Sequence, residues 1–125
     1  MGLRVLVVDD NQDGADTLRA ALAHIGHEVV VAYGGAEAVE RARTFNPQII
    51  LMDLGMPGMD GYETARQIRT ETTNDRLRIV AVTGWTAPAD RARTQAAGFD
   101  AHLAKPVAFG LLSDMLEELS STGLA

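Results

Sequence analysis

Four short apolar runs rich in β-branched side chains punctuate the chain, at residues 5–8, 29–32, 49–52 and 79–82. Each is too short for a helix and barely alternates, which is the pattern of a strand buried on both faces. A weaker run at 101–104 precedes Lys105-Pro106. Between the runs lie stretches with helical spacing. Residues 13–25 carry Leu18, Leu22 and Ile25 on one stripe and close at Gly26, a residue suited to a left-handed C-cap. Asp13 reads as the N-cap of that helix. Residues 36–45 carry Ala38, Val39, Ala42 and Phe45, then stop at Asn46-Pro47, where helix continuation is disfavoured. Residues 62–70 repeat the theme with Tyr62, Ala65, Ile68 and Arg69, and residues 88–97 open on a proline and stop at Gly98. Leu111, Leu112, Met115, Leu116 and Leu119 form the last stripe.

The strand-helix unit therefore recurs five times in 125 residues, with no linker or low-complexity segment, so residues 1–125 read as one domain. Alternating strands and helices predict an α/β fold, a five-stranded parallel sheet wound on both sides by right-handed crossovers. Ligands of such sheets sit outside the carboxyl ends of the strands, at a topological switch point.

Composition narrows the function. Lys plus Arg is 11 against 17 for Asp plus Glu, a formal charge of −6, which speaks against a nucleic-acid partner. The absence of cysteine excludes disulfides, thiolate zinc sites and cysteine nucleophiles. No apolar run approaches the roughly 20 residues of a membrane span. The run after Arg4 stops at Asp9, too early for a signal peptide. The expectation is a soluble, cytoplasmic domain that binds neither nucleic acid nor membrane.

The strand ends carry the chemistry. The first run ends in Asp9-Asp10, the third in Asp53, the fourth in Thr83-Gly84 and the fifth in Lys105-Pro106. Any one of these has an ordinary reading as a cap, a turn former or a solvated charge. Together they put carboxylates, a hydroxyl and an ammonium on one rim. Carboxylates a few ångströms apart repel unless a cation compensates. Hard oxygen ligands on an open, hydrated rim suit Mg²⁺, completed by water and phosphate. A carboxylate beside such a cation is a competent nucleophile toward phosphorus and yields an aspartyl phosphate. That transfer needs positioning and neutralisation of the equatorial oxygens more than acid-base machinery. The metal takes one oxygen, Lys105 another, and Thr83 with backbone amides the third. Ten of the 11 basic residues are arginine, and the one lysine stands where a compact point charge is wanted.

The segments VLVVDDN, LMDLGMPGMDGYE, VAVTGW and AGFDAHLAKPV, in this order and at strand ends, resemble the receiver domain of two-component response regulators along nearly the whole chain. The resemblance implies a flavodoxin-like sheet in the order 2-1-3-4-5. It implies that Asp53 accepts a phosphoryl group from a phosphohistidine on a histidine kinase or histidine phosphotransfer protein. Asp10, Asp53 and the Gly55 carbonyl are then expected to ligate Mg²⁺, with Asp9 acting mainly through water. Thr83 is expected to move toward the phosphoryl group, Lys105 to pair with it, and the Lys105-Pro106 bond to be cis. The domain is then a phosphoacceptor rather than an enzyme acting on a separate substrate. The face formed by its fourth helix, fifth strand and fifth helix is expected to change with phosphorylation and to meet a downstream protein.

Two positions depart from the commonest pattern. His102 stands where the family usually has Tyr or Phe, an aromatic that swings inward with the threonine; His102 either does the same or faces outward without a switching role. Trp85 lies two residues past Thr83, placed to shield an acyl phosphate from water. The stretches at 84–85 and 97–103 look most like receivers of hybrid histidine kinases, so the chain is either a stand-alone regulator or a domain of a longer protein.

Rival readings fit less well. Asp9, Asn11, Asp13 and Gly14 match the start of a calcium loop, but its twelfth position is Ala20 and a strand precedes it. A haloacid-dehalogenase-like phosphatase wants two acids one residue apart after its first strand, and Gln12 follows Asp10 at that distance. A flavodoxin-like cofactor binder needs a hydroxyl- and glycine-rich phosphate loop where Asp9-Asp10 stand. A degenerate receiver that signals without phosphorylation has no reason to keep the full set of residues.

Overall fold

A computed structural model describes residues 2–56, 58, 60–74, 76–84 and 88–121, with backbone alone for 88–91 and 119–121. The elements are β1 (Arg4–Val8), α1 (Gln12–His24), β2 (Glu28–Ala32), α2 (Gly35–Phe45), β3 (Ile49–Asp53), α3 (Gly61–Glu71), β4 (Arg78–Thr83), α4 (Pro88–Ala96), β5 (Ala101–Ala104) and α5 (Phe109–Ser121). The strands form one sheet in the order β2-β1-β3-β4-β5, all parallel. This is the doubly wound, flavodoxin-like arrangement that the sequence resemblance implies.

Alternate residues of the central strands serve two cores. Leu6, Val8, Ile50, Met52, Ile79 and Ala81 face one side, where they pack with residues of α2 and α3. Val5, Val7, Ile49, Leu51, Val80 and Val82 face the other, against α1 and α5. Every residue of β3 is buried, which explains why its sequence shows no alternation.

Local chemistry sets the element ends. Gly26 and Gly98 adopt the positive φ that closes α1 and α4, and Asn46 does the same after α2. The N-cap of α1 is Asn11 rather than Asp13: its side chain accepts from the Gly14 amide at 3.1 Å. The Asp9 carboxylate accepts from the Asn11 amide at 3.0 Å, so the chain turns at once after β1 and the helix begins earlier than its apolar stripe. Asp13 lies inside the first turn, where its charge suits the positive end of the helix.

Arg69, which falls on the apolar stripe of α3, has a different task. Its guanidinium donates to the Gly98 carbonyl at 3.1 Å, the Leu77 carbonyl at 2.6 Å and Asp100 Oδ2 at 2.5 Å. Asp100 Oδ2 also accepts from the Ile79 amide at 2.8 Å. One half-buried arginine thus ties α3 to the start of β4 and to the turn into β5. Arg69→Ala is expected to cost about 1–3 kcal/mol by urea unfolding, because it removes three hydrogen bonds at once and leaves two partly buried carbonyls without this donor.

At the opposite edge, His27 Nδ1 accepts from the Leu3 amide at 3.0 Å, which requires the neutral ring. Burial lowers its pKa below the ordinary 6.5. A depressed folded-state value means that the stabilising contribution is present above 6.5 and is lost as pH falls below it. Stability between neutral pH and about pH 5 is therefore expected to decline more steeply in the wild type than in His27→Asn, read as unfolding midpoints in a pH series.

Candidate functional site

The sheet register brings the sequence-predicted residues to one edge. β1 pairs with β2 on one side and with β3 on the other, so the switch point lies at the end of β1. Val8 is opposite Met52, Asp53 opposite Val82, and Thr83 opposite Ala104. Asp9 and Asp10 follow β1, Asp53 ends β3, Thr83 ends β4, and Lys105 follows β5.

Carboxylate oxygens of Asp9, Asp10 and Asp53 lie within 4.8 Å of one another. Lys105 Nζ is 3.1 Å from Asp53 Oδ1 and 4.0 Å from Asp9 Oδ2, its stem reaching past β4. Asp53 is only 6% exposed, whereas Asp10 is open to solvent. The Gly55 amide donates to Asp53 Oδ1 at 3.1 Å, and the Lys105 amide donates to the Thr83 carbonyl at 3.0 Å. Gly61 has a steric reason: a Cβ there would meet the Asp53 carbonyl oxygen at 2.6 Å and Leu54 Cα at 2.8 Å. Asp60 caps α3 by accepting from the Glu63 amide at 2.9 Å, which sets that helix against the end of β3. The Lys105-Pro106 peptide is cis.

The acids could hold a cation. Burial raises the pKa of Asp9 above the ordinary 3.8, and the charge of Asp53 adds to the rise; the Asn11 amide and Lys105 offset part of it. One ammonium does not balance this cluster of acids. Oxygen-only donors, one face of them solvated, match the preferences of a hard divalent ion such as Mg²⁺.

His102 is half-buried. Its Nε2 lies 2.7 Å from Oγ1 of Thr94, a fully buried residue of α4. Thr94 is a residue that the strand-end pattern gave no reason to single out. Trp85 lies outside the described residues, as do Pro57 and Met59 of the loop after Asp53. Beside the acids a cleft of about 930 Å³ opens between α1 and the segment joining β5 to α5; Asp9, Asp53 and Lys105 line it together with Leu18, Ala21 and Phe109.

A family model for the response regulator receiver domain matches residues 5–117. The chain belongs to that family. Among curated relatives, Response regulator MprA of Mycobacterium ulcerans (strain Agy99) is 37% identical over 125 residues, an alignment covering 99% of this chain and 53% of that protein. The receiver thus spans about half the length of the curated relatives that it matches. Chemotaxis protein CheY4 of Vibrio cholerae superposes with a TM-score of 0.89 at 28% identity, covering 95% of this chain and 99% of that one. The receiver domain of sensor histidine kinase PA1611 from Pseudomonas aeruginosa PAO1, solved with a magnesium ion coordinated in its active site cleft, is 32% identical with a TM-score of 0.84, covering 95% of this chain and 98% of that one. This receiver is a signalling domain of the two-component response regulator class. No helix among its described residues is long and apolar enough to cross a membrane.

The ammonium of Lys105 offsets part of the rise in the Asp9 carboxyl's pKa. Lys105→Met is therefore expected to move the Asp9 titration upward, measured by carboxyl-carbon NMR in metal-free buffer.

Proposed function

We propose that this receiver is a phosphoacceptor switch in which Asp53 takes a phosphoryl group from a phosphohistidine on a histidine kinase or histidine phosphotransfer protein. A carboxylate oxygen of Asp53 forms the new bond to phosphorus. The phosphorus–nitrogen bond of the donor breaks, and its electron pair stays on the imidazole, which takes up a proton. Lys105 Nζ, already beside Asp53, meets one phosphoryl oxygen, and the Thr83 hydroxyl with neighbouring backbone amides meets another. Asp10, Asp53 and the Gly55 carbonyl would hold Mg²⁺, with Asp9 reaching it through water. When bound, that ion neutralises the crowded carboxylates and the charge on the transferring group.

The observation that carries this reading is a buried Asp53 carboxylate with an ammonium at 3.1 Å and two further acids within 4.8 Å. The magnesium held by the PA1611 receiver supports the choice of ion. The apolar part of the adjoining cleft suits side chains flanking the donor histidine. Residues 1–125 act as one receiver unit in this reading. After transfer, Thr83 moves toward the phosphoryl group, His102 follows it, and the α4-β5-α5 face presents a changed surface to a downstream protein.

The test is treatment with acetyl phosphate and Mg²⁺, followed by intact-mass and peptide mass spectrometry. The wild type is expected to gain a single phosphoryl group on Asp53, chelation of Mg²⁺ to suppress the gain, and Asp53→Asn to abolish it. Phosphate on Asp9 or Asp10, or undiminished labelling of Asp53→Asn, overturns the assignment.

A further inference from the structure

Helix α4 has the sequence PADRARTQA and is the one helix of this sheet with no valine, leucine, isoleucine, methionine or aromatic residue. The others each bring at least one, such as Leu22 in α1, Val39 in α2, Ile68 in α3 and Leu112 in α5. A helix without large apolar side chains gains little from burial, so polar contacts must carry much of its attachment. Its described side chains make such contacts. Arg93 stacks on the Tyr62 ring of α3 with its guanidinium carbon 3.9 Å from the centroid, but Arg93 itself is exposed. Thr94 is fully buried and bonds His102 Nε2 at 2.7 Å.

The position of His102 gives this bond a meaning. His102 pairs with Ala81 and Ala104 pairs with Thr83, so His102 and Thr83 stand on the same face of the sheet, diagonal to each other. That is the face α4 covers. Resting on the phosphoacceptor reading above, we infer that the Thr94–His102 hydrogen bond is a latch that holds α4 against β5 in the unphosphorylated receiver, and that phosphorylation of Asp53 opens it. When Thr83 moves toward Asp53 it vacates volume on the face it shares with His102. The imidazole that moves into that volume leaves Thr94, because one Nε2 cannot stay 2.7 Å from Thr94 Oγ1 and also follow Thr83. α4 then loses a buried polar contact with β5, while the exposed Arg93 stack on Tyr62 does not depend on His102. Thr94 is a positioning residue here: it touches neither the phosphoryl group nor the acids.

Hydrogen-exchange mass spectrometry of α4, with and without acetyl phosphate and Mg²⁺, tests this on the intact chain. In the unphosphorylated protein, Thr94→Val is expected to speed exchange of the α4 amides about tenfold, the scale of one lost buried hydrogen bond. Exchange in β1 and β3 should stay unchanged, which controls for global unfolding. His102→Phe removes the other partner and should reproduce the effect, and the double variant should go no further than either single one. In the wild type, phosphorylation should loosen α4 to a similar degree, with little added in the variants. Thr94→Val should still acquire phosphate on Asp53 at the wild-type rate. Wild-type protection of α4 in both single variants, or protection in the wild type that phosphorylation leaves untouched, overturns the latch. A wild type that takes no phosphate on Asp53 overturns the phosphoacceptor reading instead, while the contrast between wild type and Thr94→Val still reads the resting contact.

Discussion

Carboxylates held within 4.8 Å of one another repel, and here the sheet fixes the backbone from which they project. β1 and β3 are hydrogen-bonded neighbours with apolar side chains on both faces, so the strand ends that carry the acids stay side by side. The acids in turn constrain the sheet. An apolar run buried on both faces carries no alternation to fix its register, and slipping by one residue exposes no polar group in the middle of the strand. At the ends it costs a great deal. Ile49 to Met52 lie between Gln48 and Asp53, and a slip either way drags a polar group into the core. The charged edge therefore acts as a stop that sets which residues pair. The same edge pushes the Asp9 carboxyl toward its neutral form unless a cation arrives. The register of the strands and the crowding of the acids thus have one origin.

The molecule divides unequally around this edge. β1, β3 and β4 are packed on both sides, and α1, α2, α3 and α5 each bury large side chains against them. Asn11, Asp60 and Gly61 fix the helix starts next to the acids, and the Arg69 network pins the far end of β4 to the turn into β5. α4 is the exception, attached through Thr94 and Arg93. A two-state protein needs an element of low local stability next to a rigid reaction centre, because only such an element shifts when the centre gains a few kilocalories of new interaction. In the proposed switch, the distribution of apolar residues among the helices gives that part to α4.

Much of this was legible in the sequence, and what was missed had physical reasons. The strands announced themselves because burial on both faces leaves no polar residue inside a run, and the helices because their stripes are regular. The strand-end acids and Lys105 were legible once a parallel sheet was inferred, since that topology sends every strand's carboxyl end to one edge. The strand order was not: apolar runs do not say which run lies beside which, and that order came from family resemblance. Asp13 looked like the cap of α1 because the apolar stripe begins there, but the turn after β1 is closed by Asp9 and Asn11, ahead of the stripe. Arg69 fitted the stripe of α3, and its carbonyl partners lie in other elements, beyond the reach of local spacing. The Thr94–His102 contact left only a negative trace, a helix with nothing large and apolar to bury.

The choice of lysine over arginine at position 105 follows from the same geometry. Asp53 Oδ1 already accepts from the Gly55 amide, and the ammonium joins at that oxygen. A guanidinium here would tend to take both oxygens of Asp53 in a planar fork, and a carboxylate held that way is a poor nucleophile. A single ammonium on a flexible stem neutralises Asp53 from one side and can follow a negative charge as it moves from carboxylate to phosphoryl oxygen. In a chain that otherwise writes arginine at every basic position, ten of 11, the exception falls where a charge has to be both present and free to shift. The lone lysine is thus explained by the reaction proposed for its neighbour, and the burial of that neighbour explains why a cation is needed before any phosphate is attached.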